Sequence, residues 1–165
     1  MIVRPEREGD CAAISAVTTA AFAGHPYSDQ TEPLIIERLR AAGALSHSLV
    51  AEDEGEVIGH IAFSPVTITP AVNGWYGLGP VSVRPDRQGR GIGSELTRRG
   101  LERLRDAGAA GCVVVGEPEF YGKFGFRNEA DLVFPGCAPQ YFMALTLSGA
   151  MVSGTVAYHP AFETG

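Results

Sequence analysis

The spacing of apolar positions changes period several times along the chain, and each change marks an element. Ile2 to Pro5 reads as a short opening strand. From Asp10, which suits a helix N-cap, Ile14, Val17 and Ala21 recur on one face and predict a helix ending near Phe22. The polar, turn-rich GHPYSDQTE (Gly24 to Glu32) separates it from a second helical stripe of Ile35, Leu39 and Ala42, which Gly43 stops. Two strands follow, Ser48 to Glu52 and Val57 to Phe63, joined by Asp53-Glu54-Gly55-Glu56, a hairpin signal. Pro65 interrupts the second strand, which resumes over Val66 to Thr69. Asn73-Gly74 favours a type I′ turn, so Trp75 to Val83 is expected to return antiparallel.

Inside that returning strand lies Gly77-Leu78-Gly79-Pro80. Glycine weakens a strand and proline cannot donate to the ladder, so the pairing should be bulged or broken on one side, which leaves room for a ligand. Ile92, Leu96, Leu101 and Leu104 then form a helical stripe with Gly108 near its end, and Cys112 to Val115 is a short buried strand. EPEFYGKFGF suggests a short helix from Pro118 and a break at Gly125. Tyr141 to Leu147 is a late strand, and Thr155 to Tyr158 a final edge strand. The pattern contains no repeat, low-complexity tract or linker.

Composition adjusts this picture at few points. With 165 residues, 45% of them hydrophobic, the chain suits one globular domain spanning 1–165. The charged N-terminus MIVRPEREGD and the lack of a long apolar window lead us to expect a cytoplasmic protein with no membrane partner. Cys11, Cys112 and Cys137 have no metal-ligand or CxxC spacing and read as buried or partly buried free thiols. His25, His47 and His159 show no HxxxH spacing, so no metal is expected. A net charge of −6 argues against a nucleic-acid partner. Yet seven of the 13 Lys and Arg residues fall between Arg84 and Arg105, around a glycine loop. An acidic chain that gathers arginine there is suited to a small polyanion.

The loop lies in VSVRPDRQGRGIGSEL, Val81 to Leu96. Strand, glycine turn and helix together present unpaired N–H groups at the positive end of a helix dipole, a general anion site. A Walker loop is excluded because no lysine lies between Gly89 and Leu96. A dinucleotide fingerprint is excluded because its third glycine would fall at Ser94 or Leu96. What remains is Gln88-x-x-Gly91-x-Gly93. This resembles the acetyl-CoA pyrophosphate loop of the GNAT superfamily of N-acetyltransferases, and Tyr121, Gly125 and Phe126 resemble that family's Y-x-x-x-G-F signature. LGPVSV, GEPEFYGKFGF, FMAL and SGTVAYHPAF are similar to a bacterial branch of predicted acetyltransferases.

The resemblance implies an α/β (α+β) fold of GNAT type, with a mixed, largely antiparallel, splayed central sheet and helices on both faces. It implies acetyl-CoA as cosubstrate, its pantetheine arm along Val81, Ser82 and Val83, and its diphosphate in the loop of Gln88, Gly89, Arg90, Gly91, Ile92, Gly93 and Ser94, where the N–H groups of Gly89 to Ser94 would donate to it. Gly91 and Gly93 would let phosphate approach the backbone, and Arg84, Arg87 and Arg90 are candidates for added charge. The implied activity is transfer of the acetyl group to a small-molecule or peptide amine in a ternary complex. A strand N–H near Val83 would serve the oxyanion and Tyr121 would be the acid. For the base, Glu117 and Glu119 lie just past the Cys112 to Val115 strand. His60, alone in an apolar strand, could titrate near neutral pH, although a core role with a satisfied hydrogen bond fits it better. Asp29 and Glu32 in the first loop would suit a cationic acceptor, and solvated loop charge is the plainer alternative. Pairing of the tail from Thr155 to Phe162 leaves a homodimer open. A catalytically weak acyl-CoA sensor and a nucleotide-binding regulatory module are the rival readings.

Overall fold

The computed structural model describes residues 1–163. Strand β1 (Ile2–Pro5) leads into helix α1 (Cys11–Phe22) and helix α2 (Glu32–Ala41). Asp10 stands at the N-cap position of α1, but its carboxylate makes no cap hydrogen bond to the helix. It accepts from the Arg7 N–H at 2.6 Å and from Arg4 at 2.8 Å, fastening the helix start to β1. Strands β2 (His47–Asp53) and β3 (Glu56–Pro65) form the expected hairpin. Glu54 (φ 51°) and Gly55 (φ 78°) both take positive φ, as a type I′ turn requires.

Trp75–Val83 returns antiparallel as expected, but the type I′ turn expected at Asn73-Gly74 is corrected. Strand β4 (Thr67–Thr69) does not pair with β5 (Trp75–Val83); β5 returns antiparallel against β3, from Pro65↔Tyr76 to Gly59↔Val83. Only Gly74 of the dipeptide has positive φ, so no I′ turn forms, and β4 leaves the main sheet. Helix α3 (Ile92–Asp106), strand β6 (Gly111–Val115), helix α4 (Pro118–Tyr121), strand β7 (Leu132–Val133), strand β8 (Phe142–Thr146) and strand β9 (Gly154–Ala157) complete the described chain. The main sheet has the order β1-β2-β3-β5-β6-β8 and is antiparallel except for β5 with β6.

The tail strand is also corrected. Expected at an edge, β9 is the middle of a second sheet, β4-β9-β7, paired antiparallel to β4 and parallel to β7. Both of its edges are used within the chain, so it offers no free edge to a second copy.

Helices cover both faces of the main sheet. Val50 packs with Ile14 of α1 and Ile36 of α2 on one face. On the other, Leu49, Ala51, Ile61 and Phe63 pack with Ile92, Leu96, Leu101 and Leu104 of α3. Each buried Leu, Ile or Phe among them contributes roughly 1.5–3 kcal/mol. Cys11 departs from expectation: it is exposed on the first turn of α1, because Ile14 and Val17 set the inward face of that helix.

Candidate functional site

The site begins where β5 and β6 part. They pair in parallel only through Trp75↔Gly111, Tyr76↔Cys112 and Gly77↔Val113. Beyond Gly77, β5 stays with β3 while β6 continues beside β8, and a wedge opens between them. The register of β5 on β3 shifts between Ile61 and Phe63, opposite Gly79-Pro80, where a broken ladder was expected.

Ladder alternation decides which backbone groups face the wedge. The Arg84 N–H donates to the Ile58 carbonyl at 2.8 Å, so Arg84 and Ser82 direct their backbone groups to β3. Val81 and Val83 therefore turn theirs toward the wedge. Ser82, expected along the pantetheine arm, is turned away: it is buried, and its hydroxyl donates to Thr18 of α1 at 3.3 Å.

At the outer end of the wedge lies a cavity of about 390 Å³, lined by Val83, Gln88, Gly89, Gly91, Ile92, Gly93, Ser94, Phe120 and Lys123, among others. The first N–H to be drawn into α3 is that of Glu95, which donates to Gly91 at 3.0 Å. Among the described residues, none of the six N–H groups from Gly89 to Ser94 donates to a backbone carbonyl. Gly91 caps the helix at φ 80°, a left-handed conformation in which a side chain would be strained. Gln88 donates from Nε2 to the Val83 carbonyl at 3.0 Å, tying the loop to the strand end.

The arginines divide. Arg84 is held by Asp86 at 2.7 Å and by Glu56 at 2.9 Å, and Arg87 by Asp53 at 2.7 Å, so both spend their charge on carboxylates. Arg90 is exposed and, among the described residues, forms no such pair. Lys123, which the sequence reading passed over, lies 4.6 Å over the Phe120 ring and lines the same cavity. Its position three residues after Phe120, in the turn that follows α4, was the available signal.

Tyr121 ends α4 with its ring stacked against Gly116, so closely that a side chain there would collide with it. Phe120 and Phe126 meet the ring edge to face at 4.9 and 5.8 Å. Burial pushes the phenol up to about 12, so it stays protonated through the neutral range.

A second cavity, of about 790 Å³, is built from three segments: Phe22 to Glu32, Val115 to Glu117 and Gly136 to Tyr141. Glu32 and Glu117 both line it, beside the exposed side chains of Tyr27, Val115 and Tyr141. Ser28 donates to the Glu32 carboxylate at 2.8 Å. Asp29 is not brought here; its carboxylate accepts from Thr31. Glu119 is exposed and lies outside the lining.

His60 is corrected as a neutral-pH titrator. It is fully buried, its Nε2 lies 2.7 Å from the Ser48 hydroxyl, and Ser48 donates to Glu6 at 2.7 Å. Burial pushes the imidazole down to about 4, against a smaller opposing pull from Glu6. Arg40 closes the chain by donating to Glu6 at 2.7 Å, which makes the group a piece of scaffold.

A splayed sheet, a bare N–H loop at a helix head and a tyrosine across the wedge agree with sequence comparison: the acetyltransferase (GNAT) family profile matches residues 13–126. The chain belongs to this family of acetyl-CoA-dependent N-acetyltransferases. It is 34% identical to the uncharacterised N-acetyltransferase YhbS of Escherichia coli K12, over 99% of each chain. A GNAT family acetyltransferase from Brucella melitensis, solved in complex with acetyl-CoA, is 52% identical, with a TM-score of 0.87 over 98% of this chain and 97% of that one. The YhbS structure in complex with CoA superposes with a TM-score of 0.88 at 32% identity, over 98% of this chain and 91% of that one. No described helix is long and apolar enough to cross a membrane.

Proposed function

We propose that this chain transfers the acetyl group of acetyl-CoA directly to a primary amine held in the 790 Å³ cavity. The observation that carries the reading is the run of bare N–H groups from Gly89 to Ser94 beside a wedge edged by the backbone of Val81 and Val83. That arrangement fits a diphosphate followed by an amide-bearing arm, and the relatives solved with acetyl-CoA and CoA support it. When bound, acetyl-CoA supplies a thioester whose carbon–sulfur bond breaks as the carbon–nitrogen bond forms.

The residues divide the remaining work. Gly89 to Ser94 bind the diphosphate, with Arg90 and Lys123 adding positive charge. The inward N–H of Val81 or Val83 donates to the oxygen on which negative charge develops. Tyr121 gives its proton to the departing thiolate, a role its elevated pKa suits because the proton is present at neutral pH. Glu117, on the cavity wall, takes the proton from the acceptor ammonium, and Glu32 holds a second cationic group of the acceptor. The apolar lining around these carboxylates favours an amine with an apolar body. The test is an amine panel with acetyl-CoA and mass detection of the acetylated product, alongside thermal shift with CoA and with ATP. Stabilisation by CoA without CoA release above the hydrolysis background would favour the sensor reading. Stabilisation by ATP alone would favour a nucleotide module.

A further inference from the structure

We infer that the acceptor is a diamine, with an amine at each end of an apolar spacer and no carboxylate, and that Tyr27 helps to select it; this rests on reading the 790 Å³ cavity as the acceptor site. Elsewhere in the fold carboxylates meet arginines: Glu6 meets Arg40, Asp10 meets Arg4, Glu56 meets Arg84 and Asp53 meets Arg87. The two carboxylates on the cavity wall differ. Among the described residues, no lysine or arginine lines the cavity, and neither Glu32 nor Glu117 forms an ion pair. Glu32 accepts from the Ser28 hydroxyl, a neutral partner, and stands in the first turn of α2, where the helix dipole favours negative charge. Its charge is held in place and left for a ligand.

The two carboxylates stand on different walls. Glu117 follows Gly116, against which the Tyr121 ring lies, so it belongs to the end where β6 borders the wedge. Glu32 belongs with the segment that carries Phe22, His25 and Tyr27, whose rings follow one another with centroids 6.2 Å apart. Val115 and Tyr141 add exposed apolar surface to the lining. One amine is therefore placed at Glu117 for attack, and a second, charged, meets the Glu32 carboxylate and a ring face. Methylenes between them suit the apolar lining. A carboxylate on the acceptor would lie among two unpaired carboxylates with no lysine or arginine to receive it, so free amino acids are rejected by like charge. Tyr27 is 93% exposed, so its ring adds nothing to the core and can be changed without disturbing the fold.

The test compares α,ω-diamines with the ω-amino amides and ω-amino acids of matching chain length, which place a positive, a neutral and a negative group at the far end. With acetyl-CoA, kcat/KM should be about 5-fold higher for the diamine than for the amide, and on the order of 10-fold higher for the amide than for the acid. A second readout needs no turnover. Cys137 lines the cavity, so its alkylation by iodoacetamide, mapped by peptide mass against the exposed Cys11, should be slowed most by the diamine and least by the acid.

Glu32→Gln should bring the diamine-to-amide ratio close to one. Tyr27→Leu should lower it about 2-fold, as loss of a cation–π contact at an exposed site does, with the melting temperature unchanged. Should Glu32→Gln fail to fold, Tyr27→Leu alone decides, and an unchanged ratio overturns the proposal. An acid used as well as the amide overturns it too. Acetylation of none of the probes, with the order of Cys137 protection intact, defeats acetyl transfer and upholds diamine binding. Acetylation with no order in either readout defeats the diamine and leaves acetyl transfer standing.

Discussion

The anion cradle at the head of α3 and the 790 Å³ cavity proposed for the acceptor are built on different principles. The cradle is one contiguous stretch, Gln88 to Ser94, and its chemistry is backbone: the bare N–H groups of Gly89 to Ser94, two left-handed glycines (Gly89 and Gly91) and a helix dipole. The acceptor cavity is made of side chains from three separated segments, and its two carboxylates, Glu32 and Glu117, stand 85 positions apart in the chain. A site made of backbone is written in local spacing, whereas a site made of side chains is written in the fold. The cofactor side should therefore respond to changes of conformation and the acceptor side to changes of functional group.

The largest expected effect is on the cradle. Gly91→Glu places a carboxylate among diphosphate oxygens at a position of φ 80°, and CoA affinity should fall on the order of 10²-fold or more in calorimetry. Gly91→Asn, which tolerates the left-handed region, should lose much less. Equal losses in the two variants would mean that charge is not what the loop senses.

Next is Tyr121→Phe, at the junction of the two regions. The ring keeps its packing on Gly116, so CoA affinity and melting temperature should hold, while kcat falls toward the lower end of the ~10²–10⁴-fold range of general-acid loss. Because the phenol titrates at about 12, the wild-type rate should show no alkaline fall from this group at neutral or mildly alkaline pH. Undiminished turnover with chemistry rate-limiting would return Tyr121 to packing alone.

On the acceptor side, Glu32→Gln keeps the shape and the Ser28 contact and removes only charge. The acceptor KM should rise about 5-fold with CoA affinity untouched, as for a partly exposed ion pair. A change in CoA affinity instead would erase the division between the regions. The smallest effect belongs to Arg90→Ala: exposed, and unpaired among the described residues, Arg90 should on its loss weaken CoA by roughly 3- to 5-fold at low salt, and less as salt screens it. Titrating CoA binding against salt in both proteins checks this.

The scaffold adds a pH test. His60 is charged with a pKa near 6.5 when unfolded and about 4 when folded, so its contribution to stability is present above pH 6.5 and is lost as pH falls through 4. At the acid end the loss approaches about 3 kcal/mol. His60→Gln should flatten that part of the melting-temperature profile, and an unchanged profile would mean that other groups govern it.

Much of the fold was legible because apolar period and turn chemistry are local. The β2–β3 hairpin, the α3 stripe and the break near Gly79-Pro80 stand where the spacing placed them. Asn73-Gly74 misled because a dipeptide cannot report that β4 departs to another sheet. Arg84 and Arg87 looked available for phosphate, but their carboxylate partners include Glu56 and Asp53, which only the β2–β3 turn brings near. His60 lay in an apolar strand, but the sequence could not show that Ser48, Glu6 and Arg40 would gather on it.

By itself the sequence determined the periodic elements, the strand-loop-helix that presents bare amides, and the family those residues define. Each of these follows from groups a few positions apart, whose relation is set by backbone geometry. Tertiary structure alone decided that Ser82 faces α1, that β9 is enclosed between β4 and β7, and that Tyr158 reaches Gly77, 81 positions earlier. These relations depend on sheet register and strand order, where a shift of one residue reverses which side chain faces the wedge.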